Sequence, residues 1–279
     1  MKFNTNDLGY KLLSGKLRES RKQSEQLNKF VAGLFDSDGT VGVHRDNKGV
    51  LRLECSITQT DSNDPDGELL KALCSFYGLG TVYLKTLKKE THSNQWFWKM
   101  SVKHTKMLFN RFGKHLIIKR FHFQNLIDVH EYWNDIEQED LSVLRKVSRQ
   151  ISATKTYKKH ISPAYLAGLI AGDGHVRVAY RKRWNKKYNK FFRSNELRIS
   201  IQLHQDDRAV LDKIKSDYGG SVSNRKNADT VTWQLSLGKG SHKSAMNIVP
   251  KLIQYSCLEC KYIKLLDILE FHKQLAETK

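Results

Sequence analysis

Residues 30–41 read FVAGLFDSDGTV, and residues 165–176 read YLAGLIAGDGHV. Gly33, Leu34, Asp38 and Gly39 of the first stretch recur as Gly168, Leu169, Asp173 and Gly174 of the second, at an offset of 135 residues. An internal repeat takes precedence over any single element, because it says that one structural unit is written twice. Further matches follow in the same order: ITQTD at 57–61 with LHQDD at 203–207, SFYGLGTV from Ser75 with SDYGGSV from Ser216, and WKMSV from Trp98 with WQLSL from Trp233.

Within the first copy, alternating or β-branched runs at 40–44, 51–58, 81–87 and 96–102 predict four strands. Between the second and third lies 68–77, with Leu69, Leu70, Leu73, Phe76 and Tyr77 at helical spacing ahead of Gly78, which predicts a helix and its C-cap. Helical stretches at about 106–132 and 243–275 close the two copies. The order is α-β-β-α-β-β-α-α, twice. The chain therefore divides into a basic extension at 1–26, a first unit at 27–133, a polar and partly helical linker at 134–160, and a second unit at 161–279. The extension either touches nucleic acid or is solvated.

Lys plus Arg outnumber Asp plus Glu by 48 to 29, and a net charge of +19 points to a polyanionic partner. No apolar run of 18 residues, lipidation signal or leader is present, so neither a membrane-inserted nor a secreted chain is expected. Cys257 and Cys260 form a C-x-x-C without the second ligand pair that zinc requires. With Cys55 and Cys74 they read as buried, reduced thiols of an intracellular, reducing compartment, whether organellar, phage or bacterial.

The repeated stretch has a chemistry of its own. Ser162-Pro163 predicts a capped helix start, and Asn28 is expected to cap the first copy similarly. Ala32-Gly33 and Ala167-Gly168 place small residues among large apolar ones, so the two helices can pack closely on each other. Each helix is expected to end in a left-handed glycine, Gly39 or Gly174. A carboxylate at a helix C-terminus is unfavourable, and two such ends side by side would set Asp38 against Asp173. A hard divalent cation resolves that repulsion, and Mg²⁺ is commonly held by one or two carboxylates together with phosphate oxygens. Asp36 lies about 200° around the helix from Asp38, and its counterpart is Ala171, so it is not expected to join the centre.

VAGLFDSDG (31–39) and LAGLIAGDG (166–174) resemble the two signature motifs of the LAGLIDADG homing endonucleases, single-chain type. The likeness covers nearly the whole chain from about residue 25. It implies an α+β fold of two pseudo-symmetric αββαββα units, each with a saddle-shaped antiparallel sheet, joined at paired motif helices and straddling DNA. It also implies a monomer that cuts both strands of a long specific site in double-stranded DNA and leaves 3′ overhangs. Asp38 and Asp173 become the metal ligands, for Mg²⁺ with Mn²⁺ or Ca²⁺ able to substitute for binding. Gln59 and Gln205 match the family's sheet-borne polar residue. The family's lysine before each closing helix matches Lys119, with Arg120 as competitor, and Lys261, although unit-to-unit alignment pairs Lys261 with His122.

Basic residues fall where strands and turns are expected: Arg45, Lys48, Arg52, Lys85 and Lys88 in the first unit, and Arg177, Arg181, Arg183, Lys187, Arg193, Arg198, Arg225 and Lys226 in the second. The alternation of Arg198, Ser200, Gln202 and His204 with Ile199, Ile201 and Leu203 predicts one face that reads base edges and one that packs. Residues 181–196 have no match in the first unit and read as a long basic hairpin. Ten-residue strands rise about 33 Å, so two sheets would follow roughly twenty base pairs. Two rivals stand beside cleavage: an RNA maturase acting on its host intron, and a non-cleaving DNA-binding regulator on the same scaffold.

Overall fold

A computed structural model describes residues 4, 6–15, 21–86, 93–132, 137, 140, 143–144, 146–147, 159–185, 188–226 and 228–277, with backbone alone at 21, 180–185, 190–195 and 239. The first unit contains α1 (Leu8–Leu13), α2 (Arg21–Asp38), β1 (Gly39–Arg45), β2 (Leu51–Thr60), α3 (Glu68–Tyr77), β3 (Thr81–Lys85), β4 (Gln95–Met100), α4 (Val102–Phe112) and α5 (Arg120–Tyr132). The second contains α6 (Pro163–Asp173), β5 (Gly174–Asn185), β6 (Lys190–His204), α7 (Arg208–Tyr218), β7 (Ser221–Asn224), β8 (Thr230–Ser236), α8 (His242–Tyr255) and α9 (Glu259–Glu277). Each unit forms an antiparallel four-stranded sheet, in the orders β1-β2-β4-β3 and β5-β6-β8-β7. The α+β architecture expected from the repeat is the one observed.

The register makes the repeat concrete. Gly39 pairs with Ile57 and Ile57 with Trp98, while Gly174 pairs with Ile201 and Ile201 with Trp233. Both tryptophans are fully buried, and each indole N–H donates to a carbonyl of the segment that follows the unit's middle helix, Leu79 O at 2.7 Å and Gly219 O at 2.8 Å. Apolar side chains from both units join one continuous core, so the halves are packed as one body.

The seam between them is α2 against α6. A Cβ on Gly33 would stand 2.0 Å from the Tyr165 carbonyl oxygen, and one on Gly168 would stand 1.9 Å from that of Phe30. Only hydrogen at those positions lets the backbones approach so closely, as the small residues predicted. Ser162 caps α6 by accepting from the Tyr165 N–H, with Pro163 in the first turn. Asn28 does not cap its helix. Apolar positions Leu27 and Phe30 extend the buried face and α2 starts earlier, at Arg21, so Asn28 sits mid-helix and accepts from the Tyr77 hydroxyl at 2.7 Å.

The terminal glycines also differ from expectation. Gly39 is absent from the left-handed residues, and Gly174 is extended at φ −88° and ψ 149°, because each opens a strand directly. Their need for hydrogen is steric: a Cβ on Gly39 would meet the Phe35 ring at 2.4 Å, and one on Gly174 would meet Ile170 Cα at 2.3 Å. The predicted C-cap at Gly78 does adopt a left-handed conformation, φ 63°. The helical stretch expected at 106–132, two helices in the repeated order, is α4 and α5, parted by a turn at Gly113–His115, with α4 starting earlier at Val102.

Part of the extension, read as either touching nucleic acid or solvated, is packed against the protein. Leu8 and Leu12 of α1 are buried, and Asp7 accepts from the Tyr262 hydroxyl at 2.8 Å, tying the N-terminal segment to the second unit. The four cysteines are free thiols, but Cys74 and Cys260 are half-buried. Most of the linker expected at 134–160 lies outside the described residues. No helix among the described residues is long and apolar enough to cross a membrane.

Candidate functional site

The last residues of the seam helices are Asp38 and Asp173, brought side by side because Gly33 and Gly168 let the helices converge. Gly172 lies directly against Ser37 and the Asp38 carboxylate; a Cβ there would fall 2.7 Å from Asp38 Oδ2. Burial, reinforced by the charge on Asp173, pushes the Asp38 carboxyl up to about 6, against the pull of the Gln59 amide, Lys119 and Lys261. Asp173 is exposed at the end of α6, yet burial of part of its carboxyl by the surrounding protein raises its pKa while Lys119 opposes the shift.

Gln59 is buried at the end of β2 and donates its amide N–H to Asp38 Oδ2, while its Oε1 has no hydrogen-bond partner. A buried amide oxygen without a donor beside two mutually repelling carboxylates is a donor set suited to a hard cation. No group of three or more His, Cys, Asp or Glu side chains among the described residues can hold an ion. Two acids and an amide oxygen therefore fit an ion whose remaining ligands are phosphate oxygens and water, the habit of Mg²⁺.

Gln205 is not brought to this centre. It lies past the end of β6 in an exposed 3-10 turn, and the register that places Ile57 opposite Gly39 places Ile201 opposite Gly174. The position equivalent to Gln59 is consequently Leu203, which is buried. The repeated letters of ITQTD and LHQDD are out of step with the strand register by two residues.

Lys119 and Lys261 both reach the seam. The Lys119 ammonium donates to the carbonyl oxygens of Phe35 at 3.0 Å, Ser37 at 2.8 Å and Gly39 at 2.7 Å, occupying its three N–H groups on the C-terminal end of α2. Burial lowers its pKa, opposed by Asp36, Asp173, Asp38 and Asp207. Lys261, in the first turn of α9, donates to the Gly174 carbonyl at 2.5 Å, the counterpart of the Lys119 contact with Gly39. Burial lowers its pKa as well. The competitor Arg120 is exposed. Asp36 is buried and accepts from the backbone N–H groups of Ile117, Ile118 and Lys119 and from the Tyr165 hydroxyl. It anchors the segment that carries Lys119.

From this centre the two sheets extend with one packed and one polar face. The β2 pattern alternates strictly, leaving Arg52, Glu54, Ser56, Thr58 and Thr60 on the accessible side. Across from them lie Thr40 and His44 on β1 and Gln95, Phe97 and Lys99 on β4. In the second sheet Arg177, Arg198, Ser200, Gln202 and His204 share the polar side, with Ile199, Ile201 and Leu203 buried, as the alternation predicted. Glu196 bridges Arg177 and Arg198 at 3.3 Å each.

Lys48, Arg52, Lys85, Arg225 and Lys226 are exposed. Arg45 pairs with Leu51 and so falls on the opposite parity from Arg52; it donates to the Gly49 carbonyl within its own hairpin. Lys88 and Lys187 lie outside the described residues, and of Arg181, Arg183 and Arg193 only the backbone is described, within the paired strands of the predicted hairpin. Sequence reading missed Lys99, His44 and Glu54, which cluster on the first polar face: the Lys99 ammonium pairs with the Glu54 carboxylate at 2.8 Å, and the His44 ring lies 3.9 Å from the same carboxylate. The parity of β1 and β4 would have found them.

Two α+β units, fused in one chain and joined through glycine-bearing helices that each deliver an acid to the seam, define the two-domain LAGLIDADG fold. The LAGLIDADG endonuclease family model matches residues 166–272, the second of the two units. I-SmaMI bound to cleaved DNA aligns with a TM-score of 0.64 at 19% identity, over 90% of each chain. I-AabMI bound to uncleaved DNA aligns with a TM-score of 0.65 at 13% identity, over 90% of this chain and 92% of that one. An uncharacterized cox1 intron-2 37.2 kDa protein of Schizosaccharomyces pombe is 26% identical over 140 residues, 48% of this chain and 40% of that protein.

Proposed function

We propose that this chain is a monomeric homing endonuclease that cuts both strands of one long DNA site and leaves 3′ overhangs. The observation that carries the reading is the meeting of Asp38 and Asp173 where two polar strand faces adjoin, inside a chain of net charge +19. Both halves of the centre belong to one polypeptide, so a second copy is not required. The exposed basic residues would hold phosphates and the polar face residues would contact base edges in the major groove. The solved relatives with this fold include one bound to cleaved and one to uncleaved DNA.

Asp38, Asp173 and the Gln59 oxygen would hold the divalent cation, Mg²⁺ in first place with Mn²⁺ or Ca²⁺ substituting for binding. When bound, the ion supplies Lewis acidity to the phosphodiester and the attacking water. Lys119 fixes the end of α2 and so aims Asp38. Lys261 retains N–H groups beyond its one carbonyl contact and can hold a phosphate or a water at the second half. The two strands thus meet unequal half-sites, one with Gln59 and the other with Leu203.

If the gene lies in an intron, the fused exon junction without that intron is the natural candidate substrate. A plasmid carrying that junction should be linearised with 3′ overhangs in Mg²⁺ and left intact in EDTA. Blunt ends, or cutting that persists without a divalent ion, would count against the proposal. The intron-borne name of the fission-yeast relative favours one additional activity, assistance to host-intron splicing. Precursor RNA that splices at the same rate with and without the protein would remove it.

A further inference from the structure

The two polar faces differ in kind at one pair of positions. Tyr83 on β3 stands opposite Phe97 on β4, and their rings stack at 5.5 Å between centroids with 10° between planes. Tyr83 is 43% exposed, and the Lys85 ammonium lies 5.8 Å from the centre of the Phe97 ring. Around the pair on the same side are Thr58, Lys99 and Thr81. The corresponding positions of the second sheet, set by Val82 opposite Trp98 and Val222 opposite Trp233, are Ser223 and Thr232. Strands β7 and β8 pair there without aromatic rings, so the edge does not need the stack to form.

Apolar surface held open on an otherwise polar face marks a contact. On the base edges of the major groove the apolar group is the C5 methyl of thymine, and aromatic side chains are among those that contact it. Given the reading that these faces lie on duplex DNA, we infer that Tyr83 and Phe97 form an apolar platform that recognises a thymine methyl in the half-site under the first unit. Ser223 and Thr232 give the matching position under the second unit no such platform.

Uracil lacks only that methyl, which isolates the contact. The full chain, in Ca²⁺, is used to select from a duplex pool randomised over about twenty base pairs. The selected duplex is then remade with deoxyuridine at single thymines. Replacement at one thymine in one half should weaken binding about three- to tenfold, the scale of one buried methyl group, with little effect in the other half. The Tyr83→Ser/Phe97→Thr double variant, which copies the second unit, should bind thymine and uracil forms of that position alike. Equal affinity of wild type for all uracil forms overturns the inference, as does a folded double variant that keeps the methyl dependence. Should the double variant fail to fold, the uracil comparison on the wild-type chain decides alone. If no motif is enriched at all, the DNA-binding reading falls, and the platform with it.

Discussion

Asp38 is held between opposing influences, burial and Asp173 raising its carboxyl to about 6 while Gln59, Lys119 and Lys261 pull it down. Between the ordinary aspartate value of 3.8 and about 6 the folded chain keeps a proton that the unfolded chain has released. The contribution of this group to stability is therefore greatest in acid and is lost as pH rises through about 6. A divalent ion that pairs with the ionised carboxylate should restore it. Mg²⁺ should then raise Tm at about pH 7.5 and not at about pH 5, and Asp38→Asn should raise the metal-free Tm by about 2–6 °C and remove the Mg²⁺ increment. An equal Mg²⁺ effect at both pH values would contradict this account. Gln59→Leu reproduces the residue found at 203 and removes an orphaned buried oxygen, so the fold should hold. Cleavage by this variant should stall at nicked plasmid, and release of linear product at the wild-type rate would refute the unequal half-sites. Asp38, Asp173 and Lys119 were legible as residues because motif ends and flanking letters mark them. Gln205 was misplaced because matching letters carry no register, which backbone pairing across β5 and β6 alone decides.

At the scale of elements, the seam depends on two hydrogens and one ammonium. Gly33→Ala or Gly168→Ala drives a methyl group into a facing backbone carbonyl, which no side-chain rotation relieves. Each should lower stability by about 2–4 kcal/mol, measured by urea unfolding, and a change under about 0.5 kcal/mol would show the helices further apart than described. Lys119→Met strips three carbonyls of their donor and Lys261→Met strips one. The first should cost about 3 kcal/mol or more and the second about 1–2 kcal/mol. The helix pairing could be read from Gly33 and Gly168 because small residues repeated in both units have one economical use. The start of α2 could not, since Arg21 and its neighbours carry no cap signal and Asn28 offers a misleading one. Gly39 and Gly174 were read as left-handed caps and are not: a helix that turns straight into a strand needs space beside Phe35 or Ile170, not a left-handed residue.

For the molecule as a whole, the repeat specified the fold class, and the shared core explains why two units behave as one body. The attachment of α1 was hidden, because six residues with two buried leucines are too short to show a period against a basic background. Binding to duplex DNA should fall steeply with salt, as expected when several Lys and Arg side chains displace counterions. A slope of log Kd against log salt near zero would mean that the charge of +19 serves some other partner. The claim on which the rest depends is that one acid from each half works at a common centre. Its most direct test is plasmid cleavage by Asp38→Asn and Asp173→Asn at a site the wild-type chain cuts, with binding measured alongside. Both variants should bind the duplex as wild type does and fail to linearise it; wild-type linearisation by either one would contradict the assignment.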